Sequence, residues 1–378
     1  MHPLSRRLML GLAGAYLAGP AEAAKAKPPP PQRIIGAALP RSGDLALIGD
    51  ECLRGIELAA GAVNASGGIA GQPVQLVTAD AVDQADAGAA VNRLLKDRHA
   101  GLILSAGASE LSYPASAAAE LAQIPCIELN AIADGITARG FKYLLRTGPT
   151  STMIAAVARA TVQQRFVHAK IGLLFNTGAA GGAIAAAVLS AFKQAQIQPL
   201  LAVGYPEDVT DLAGPAMRLQ RAGAELVVHA AGADDALAFF LALQEQGWQP
   251  KAVLGCGKGY SLRETAAALG ARFDGTFAIA SPFYPASAQP IAEAYLARFG
   301  MPPRAPDSLT AYVGARLVFD TLAAAGGDPA KLLGALRQAN IPAGGLINGW
   351  GAAFDQNGQN TRAFATLQRW RNQTLQPA

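Results

Sequence analysis

Lys170-Ile171-Gly172-Leu173-Leu174-Phe175 is a short run, apolar after its first residue, and the pattern that follows it decides the fold. Ala183 to Ala195 has helical character, Leu200-Leu201-Ala202-Val203 is apolar again, and Leu212 to Ala222 is amphipathic. Glu225-Leu226-Val227-Val228-His229, Asp234 to Gln246 and Ala252-Val253-Leu254 continue the alternation. Apolar runs without polar alternation are strands buried on both faces, and helices between them imply parallel sheets wrapped by helices. The same rhythm precedes this set. Arg33 to Leu39 reads as a strand ending at Pro40, and Asp50 to Asn64 as a helix stopped by Gly67-Gly68. Pro73 to Ala79, Gly101 to Leu104 and Pro125 to Leu129 read as strands, with helices over Ala85–Lys96 and Ala115–Leu121. Two successive sets predict an α/β protein of two Rossmann-like lobes. Beyond position 288 come helices at Gln289–Phe299, Leu309–Ala325 and Lys331–Ala339. A strand plus turn over Ala352–Gln359 and a closing strand over Ala363–Trp370 follow.

The N-terminal stretch says where the chain works. Arg6 and Arg7 open it, Leu8 to Ala18 is apolar, Gly19-Pro20 breaks the helix, and Ala21-Glu22-Ala23 has the small-x-small pattern of a cleavage site. Residues 1–24 are therefore read as a removed export signal, too short to span a bilayer, which takes about 20 apolar residues. The Arg pair leaves twin-arginine export open beside the general route. Residues 25–33, with Pro28 to Pro31 in a row, read as an extended tether.

Composition excludes several classes. The formal charge of +4 falls to +3 once Arg6, Arg7 and Glu22 are removed, and Lys and Arg form no basic run, so nucleic-acid binding has no footprint. Cys52, Cys126 and Cys256 are far apart, without metal-ligand spacing, and read as small buried hydrophobes. Gly178 to Gly182 does not fit a phosphate loop, and no Ser-His-acid grouping is recognisable. Neither a cofactor, a metal nor an enzymatic reaction is expected.

Several motifs, in order, carry a family resemblance. They are Leu39-Pro40-Arg41-Ser42-Gly43; Arg54-Gly55-Ile56-Glu57-Leu58-Ala59 with Asn64-Ala65-Ser66-Gly67-Gly68-Ile69-Ala70-Gly71; and Ser109 to Ser116. Tyr143-Leu144-Leu145-Arg146-Thr147-Gly148-Pro149, Tyr205-Pro206 through Thr210-Asp211-Leu212, and Phe354-Asp355-Gln356-Asn357-Gly358 complete the set. Together they resemble the type I periplasmic solute-binding proteins of ABC importers, in the branched-chain (Leu/Ile/Val) branch. The resemblance implies two lobes joined by three crossovers, closing by hinge bending on a solute in the cleft. It places residues 34–146 plus 280–347 in the first lobe and 147–279 plus 348–378 in the second. It implies a monomer that works in the periplasm with an inner-membrane ABC permease as partner.

The amino-acid binders of that family hold the zwitterion with an aromatic cover, hydroxyls, backbone N–H groups, and a tyrosine and an acid. Carried over position by position, Ser109 keeps its place. Ile48 stands at the covering aromatic, Ile132 replaces a Thr in the Asn130-Ala131-Ile132 loop, Ala180 replaces the Tyr, and Lys258 stands where the acid would be. Burying an unpaired ammonium costs several kcal/mol, so the expected solute is more apolar than a standard amino acid. Its carboxylate or hydroxyl would meet Ser109, Asn130 or Lys258. Glu110 is a substitute acid that keeps an amino-acid solute open. His229 at a strand end and Tyr260 complete the candidate set, each equally readable as core. Ser109 is equally an N-cap, Glu110 a first-turn acid and Lys258 a solvated loop charge. A periplasmic sensor, or a shuttle for an aromatic acid or lipid, is the other role the same cleft could serve.

Overall fold

A computed structural model describes residues 33–232 and 234–378. The predicted export signal and all of the predicted tether except Arg33 lie outside the described residues. Arg33 itself begins the first strand.

The chain first builds β1 (Arg33–Leu39), α1 (Ala46–Ala65), β2 (Val74–Asp80), α2 (Gln84–Lys96), β3 (Ile103–Ser105), α3 (Ser109–Leu121), β4 (Cys126–Glu128), α4 (Gly135–Ala138) and β5 (Leu144–Arg146). These five strands form one parallel sheet in the order β2-β1-β3-β4-β5. Then come α5 (Ser151–Arg165), β6 (Ile171–Asn176), α6 (Ala179–Gln194), β7 (Leu201–Tyr205), α7 (Ala213–Arg221), β8 (Leu226–Ala230), α8 (Asp235–Glu245), β9 (Ala252–Cys256), α9 (Arg263–Leu269) and β10 (Phe277–Ala280). Helices α10 (Gln289–Phe299), α11 (Asp307–Ala324) and α12 (Pro329–Arg337) precede β11 (Thr366–Arg371) and β12 (Thr374–Pro377). The second sheet runs β12-β11-β10-β9-β8-β6-β7, parallel from β6 to β10, with β11 and β12 antiparallel at one edge. The expected α/β architecture of two sheets, each wrapped by helices, is what the chain adopts.

Packing explains which elements go together. Helix α11 leaves the second sheet's neighbourhood and lies against α1, sharing a core with Ile35, Leu39, Ile56, Leu104, Leu309 and Phe319. The two helices meet at backbone distance. A Cβ on Gly55 would stand 2.1 Å from the Ser308 carbonyl oxygen, so only glycine permits this crossing. The contact fixes the N-terminus of α11 relative to the first sheet. The second sheet is covered by α7 and α8 on one face and by α5 and α6 on the other.

The chain passes between the halves three times, and the crossings bond to one another. Arg146 N donates to Gly358 O (2.8 Å), and Asn360 N donates to Arg146 O (2.9 Å). The Gln359 amide donates to Gly148 O (2.9 Å), and the Gln368 amide to Ser281 O (3.0 Å).

Some elements differ from the sequence reading. Helix α1 starts at Ala46, ahead of Asp50. Helix α3 starts at Ser109, ahead of Ala115, and carries Pro114 in its interior, where the proline cannot donate to the Glu110 carbonyl. Helix α5 has no counterpart in the sequence reading; Thr150 caps it by accepting from Met153 N. Residues 352–359 hold a turn with isolated bridges in place of the predicted strand.

Candidate functional site

In parallel sheets the loops after the strands open towards the crevice. Here the loop after β4 supplies Asn130 to Ala133, the loop after β9 supplies Gly257 to Ser261, and the N-termini of α3, α6 and α11 supply Ser109, Ala180 and Asp307. Two small cavities lie where these meet. One, of about 50 Å³, is lined by Asn130, Ile132, Pro149, Lys258, Ile279 and Asp307 among others. The other, of about 30 Å³, is lined by Leu45, Ser109, Glu110, Ile132, Ala180 and Lys258 among others. Ile132 and Lys258 wall both. Outside them, a wider opening of about 340 Å³ is lined by Asp44, Asp83, Glu110, Glu207 and Asp234.

Lys258 is the cationic side chain lining these cavities. It follows Gly257, which lies so close to the Ala231 carbonyl that a Cβ would stand 2.3 Å from that oxygen. The Lys258 ammonium pairs with the Asp307 carboxylate. Burial pulls the ammonium's pKa down, but Asp307 and its other neighbours outweigh this and hold it above its ordinary value. The Asn130 amide donates to the same Asp307 oxygen (2.8 Å) and to Cys52 Sγ (2.9 Å), while its carbonyl accepts from Gly107 N (2.8 Å). Asn130 N and Ala131 N both donate to one Glu128 oxygen (3.0 and 2.9 Å), which shapes the loop.

Ser109 Oγ accepts from Ile132 N (3.3 Å) and Ala133 N (3.1 Å), so it ties α3 to the loop after β4. Glu110 has one buried carboxylate oxygen without a partner. Burial, with Glu207 across the opening, lifts its pKa above the usual carboxylate range.

Four candidates are placed away from the cavity walls. Ile48 is 1% exposed and packs in the core of the first half; because α1 starts at Ala46, Leu45 faces the cleft instead. Ala131 is buried, and its carbonyl accepts from Arg146 (3.1 Å). His229 and Tyr260 are both fully buried in the second half's core, facing α8. His229 Nδ1 lies 2.6 Å from Tyr260 Oη, and Nε2 lies 2.6 Å from Tyr205 Oη, which donates to Asp235 (2.7 Å). That last donation makes Nε2 the protonated nitrogen and Tyr260 the donor to Nδ1. Burial drops the imidazole's pKa from 6.5 to about 3, so it is neutral.

The expectation that the cleft has no acid at its centre is corrected by Asp307. Its signal was Pro306-Asp307, a helix-start pair just ahead of the helix read from Leu309. Among the described residues no group of three or more His, Cys, Asp or Glu could hold a metal ion, and no helix is long and apolar enough to cross a membrane. The three cysteines are free and buried.

Residues 34–374 match the periplasmic binding protein family. The Leu/Ile/Val-binding protein homolog 8 of Brucella abortus (strain 2308) is 35% identical over 357 residues, covering 90% of this chain and 89% of that protein. Among solved structures, the branched-chain amino acid transporter substrate-binding protein LivJ of Streptococcus pneumoniae, in complex with isoleucine, superposes with a TM-score of 0.81 at 20% identity. It covers 91% of this chain and 98% of that one. A solute-binding protein of an ABC transporter from Rhodopseudomonas palustris HaA2, in complex with p-hydroxybenzoic acid, gives 0.79 at 19% identity, covering 92% and 95%. The last two similarities establish the fold; the match along the chain and the Brucella relative establish more, and this protein belongs to the periplasmic binding protein family.

Proposed function

We propose that the protein captures a small, mainly apolar carboxylate between its two halves and delivers it to an ABC permease, without catalysis. One observation carries this reading: a single ammonium, Lys258, faces the cleft between walls of Ile132, Pro149, Ile154 and Ile279. Such walls reward an apolar body at roughly 25 cal/mol per Å² buried, and the ammonium rewards an anionic end. p-Hydroxybenzoic acid, the solute of one structural neighbour, has this chemistry, whereas isoleucine, the solute of the other, adds an ammonium to it. The moving bodies would be residues 34–146 with 280–347, and 147–279 with 348–378. Residues 1–24 would direct export, and the mature monomer would work in the periplasm.

A second reading, a branched-chain amino acid, is favoured by Asp307 and Glu110, which stand where they could pair an ammonium. Isothermal titration with benzoate, 4-methylpentanoate, leucine and isoleucine separates the two. The acids are expected to bind, and Lys258→Met to weaken them roughly 10–150-fold, the loss of a charged hydrogen bond worth about 1.5–3 kcal/mol. Binding of leucine but not of 4-methylpentanoate would replace the first reading with the second. Binding of none would refute both.

A further inference from the structure

We infer that Lys258 and Asp307 form a latch that holds the halves together without solute, with the Asp307 carboxylate in the place that a solute's carboxylate takes. The inference rests on the reading just proposed and adds a competitor to it.

The two partners come from opposite sides. Asp307 opens α11, which Gly55 anchors to α1 and the first sheet, whereas Lys258 follows β9 of the second sheet. Asp307 is 7% exposed and Lys258 19%, so their attraction is little screened by water. Asn130 holds the carboxylate from behind, and Asn130 is itself fixed by Gly107 N. A second link lies beside the first. Arg304, between α10 and α11, pairs with Glu264 of α9 (2.9 Å), and Arg263 N donates to Arg304 O (2.9 Å). Arg304 also pairs with Asp50 of α1 (2.7 Å), so it ties α9 to the first half.

The volume agrees. The cavity beside the latch is about 50 Å³, against the roughly 150 Å³ of a cavity that takes up benzene. A solute with an apolar ring or branched chain therefore enters only as the walls part, and Lys258 and Asp307 stand on opposite walls. A carboxylate parts them by exchange, leaving Lys258 paired throughout. A neutral apolar solute would leave two buried charges apart, which costs several kcal/mol. The latch thus rejects uncharged solutes. It also lowers the apparent affinity for acids by the fraction of molecules that are unlatched.

Two measurements on the full mature chain test this. Small-angle scattering without solute should show a larger radius of gyration for Asp307→Asn and for Lys258→Gln than for the wild type. Titration with benzoate and 4-methylpentanoate should show Asp307→Asn binding at least about tenfold tighter, as expected when about a tenth of molecules are unlatched. Unchanged dimensions in both variants, or acid affinity equal or weaker in Asp307→Asn, overturns the latch. If neither acid binds the wild type, the functional reading fails, and the scattering result still decides the latch. If Asp307→Asn does not fold, Lys258→Gln carries the scattering test.

Discussion

Replacing His229 by Gln should flatten a large part of the protein's acid sensitivity. The imidazole lies in a closed chain between Tyr205 and Tyr260, with Phe239 edge-on at 5.0 Å and no carboxylate in direct contact. Burial lowers its pKa from 6.5 to about 3. In the unfolded chain it takes a proton near pH 6.5; in the folded chain it does not until about pH 3. The unfolded state therefore binds more protons throughout that window, and stability is complete above pH 6.5 and falls as pH drops through it. The slope approaches about 1.4 kcal/mol per pH unit below the unfolded-state pKa, so the loss from pH 6.5 to 4.5 is about 2 kcal/mol. Glu51, Glu110 and Asp234, whose pKa values are raised by burial first of all, work in the opposite direction. They are common to both proteins and cancel in the comparison. Urea unfolding at pH 7.0, 5.5 and 4.5, followed through tryptophan fluorescence, gives the difference, since Trp370 donates to the Tyr260 carbonyl (2.7 Å) in the same core. A stability difference between wild type and His229→Gln that stays constant across this range would refute the burial of the imidazole. An NMR titration placing His229 near pH 6.5 would do the same and return it to the cleft.

Arg146→Met should destabilise the protein by about 3–5 kcal/mol, because a buried guanidinium that serves Gln359, Thr137 and the carbonyls of Ala131 and Ala133 is lost. Chemical denaturation measures this, and solute affinity should fall as the loop that carries Asn130 and Ile132 loosens. Gly257→Ala forces a methyl against the Ala231 carbonyl and should cost about 1–3 kcal/mol while displacing Lys258. Gly61→Ala, on the open face of α1 with nothing within 4 Å, should instead stabilise by about 0.5–1 kcal/mol, and thermal melts of the two glycine variants beside the wild type read both changes. The three thiols should resist a disulfide reagent at pH 8 in the folded protein and all react after unfolding. They are buried, and burial raises their pKa values, Cys256 to about 12.

The elements of both sheets were largely legible in the chain, because short apolar runs and helical spacing are local properties that fix backbone geometry and buried faces. Helix α5 is the exception: its buried face, Ile154, Ala155, Ala158, Thr161 and Val162, recurs at helical spacing, but Ala and Thr make that face faint in the chain. Asn130, Ile132 and Lys258 could be placed on loops at strand ends, and such loops face a crevice wherever sheets are parallel.

Which way a side chain points was another matter. Strand β8 is buried on both faces, so alternation along it could not say whether His229 faces the cleft or α8; only the stacking of Tyr205, Phe239 and Tyr260 around it decides. A four-residue shift in the start of α1 turned Ile48 into the core and Leu45 towards the cleft. Asp307 stands 49 positions from Lys258, in a helix that returns to the first sheet by packing on α1. The sequence by itself determined most of the strands and helices and the family they belong to, because those depend on neighbours along the chain. Tertiary structure alone decided the charge balance of the cleft, because that depends on which distant helix fits against which glycine.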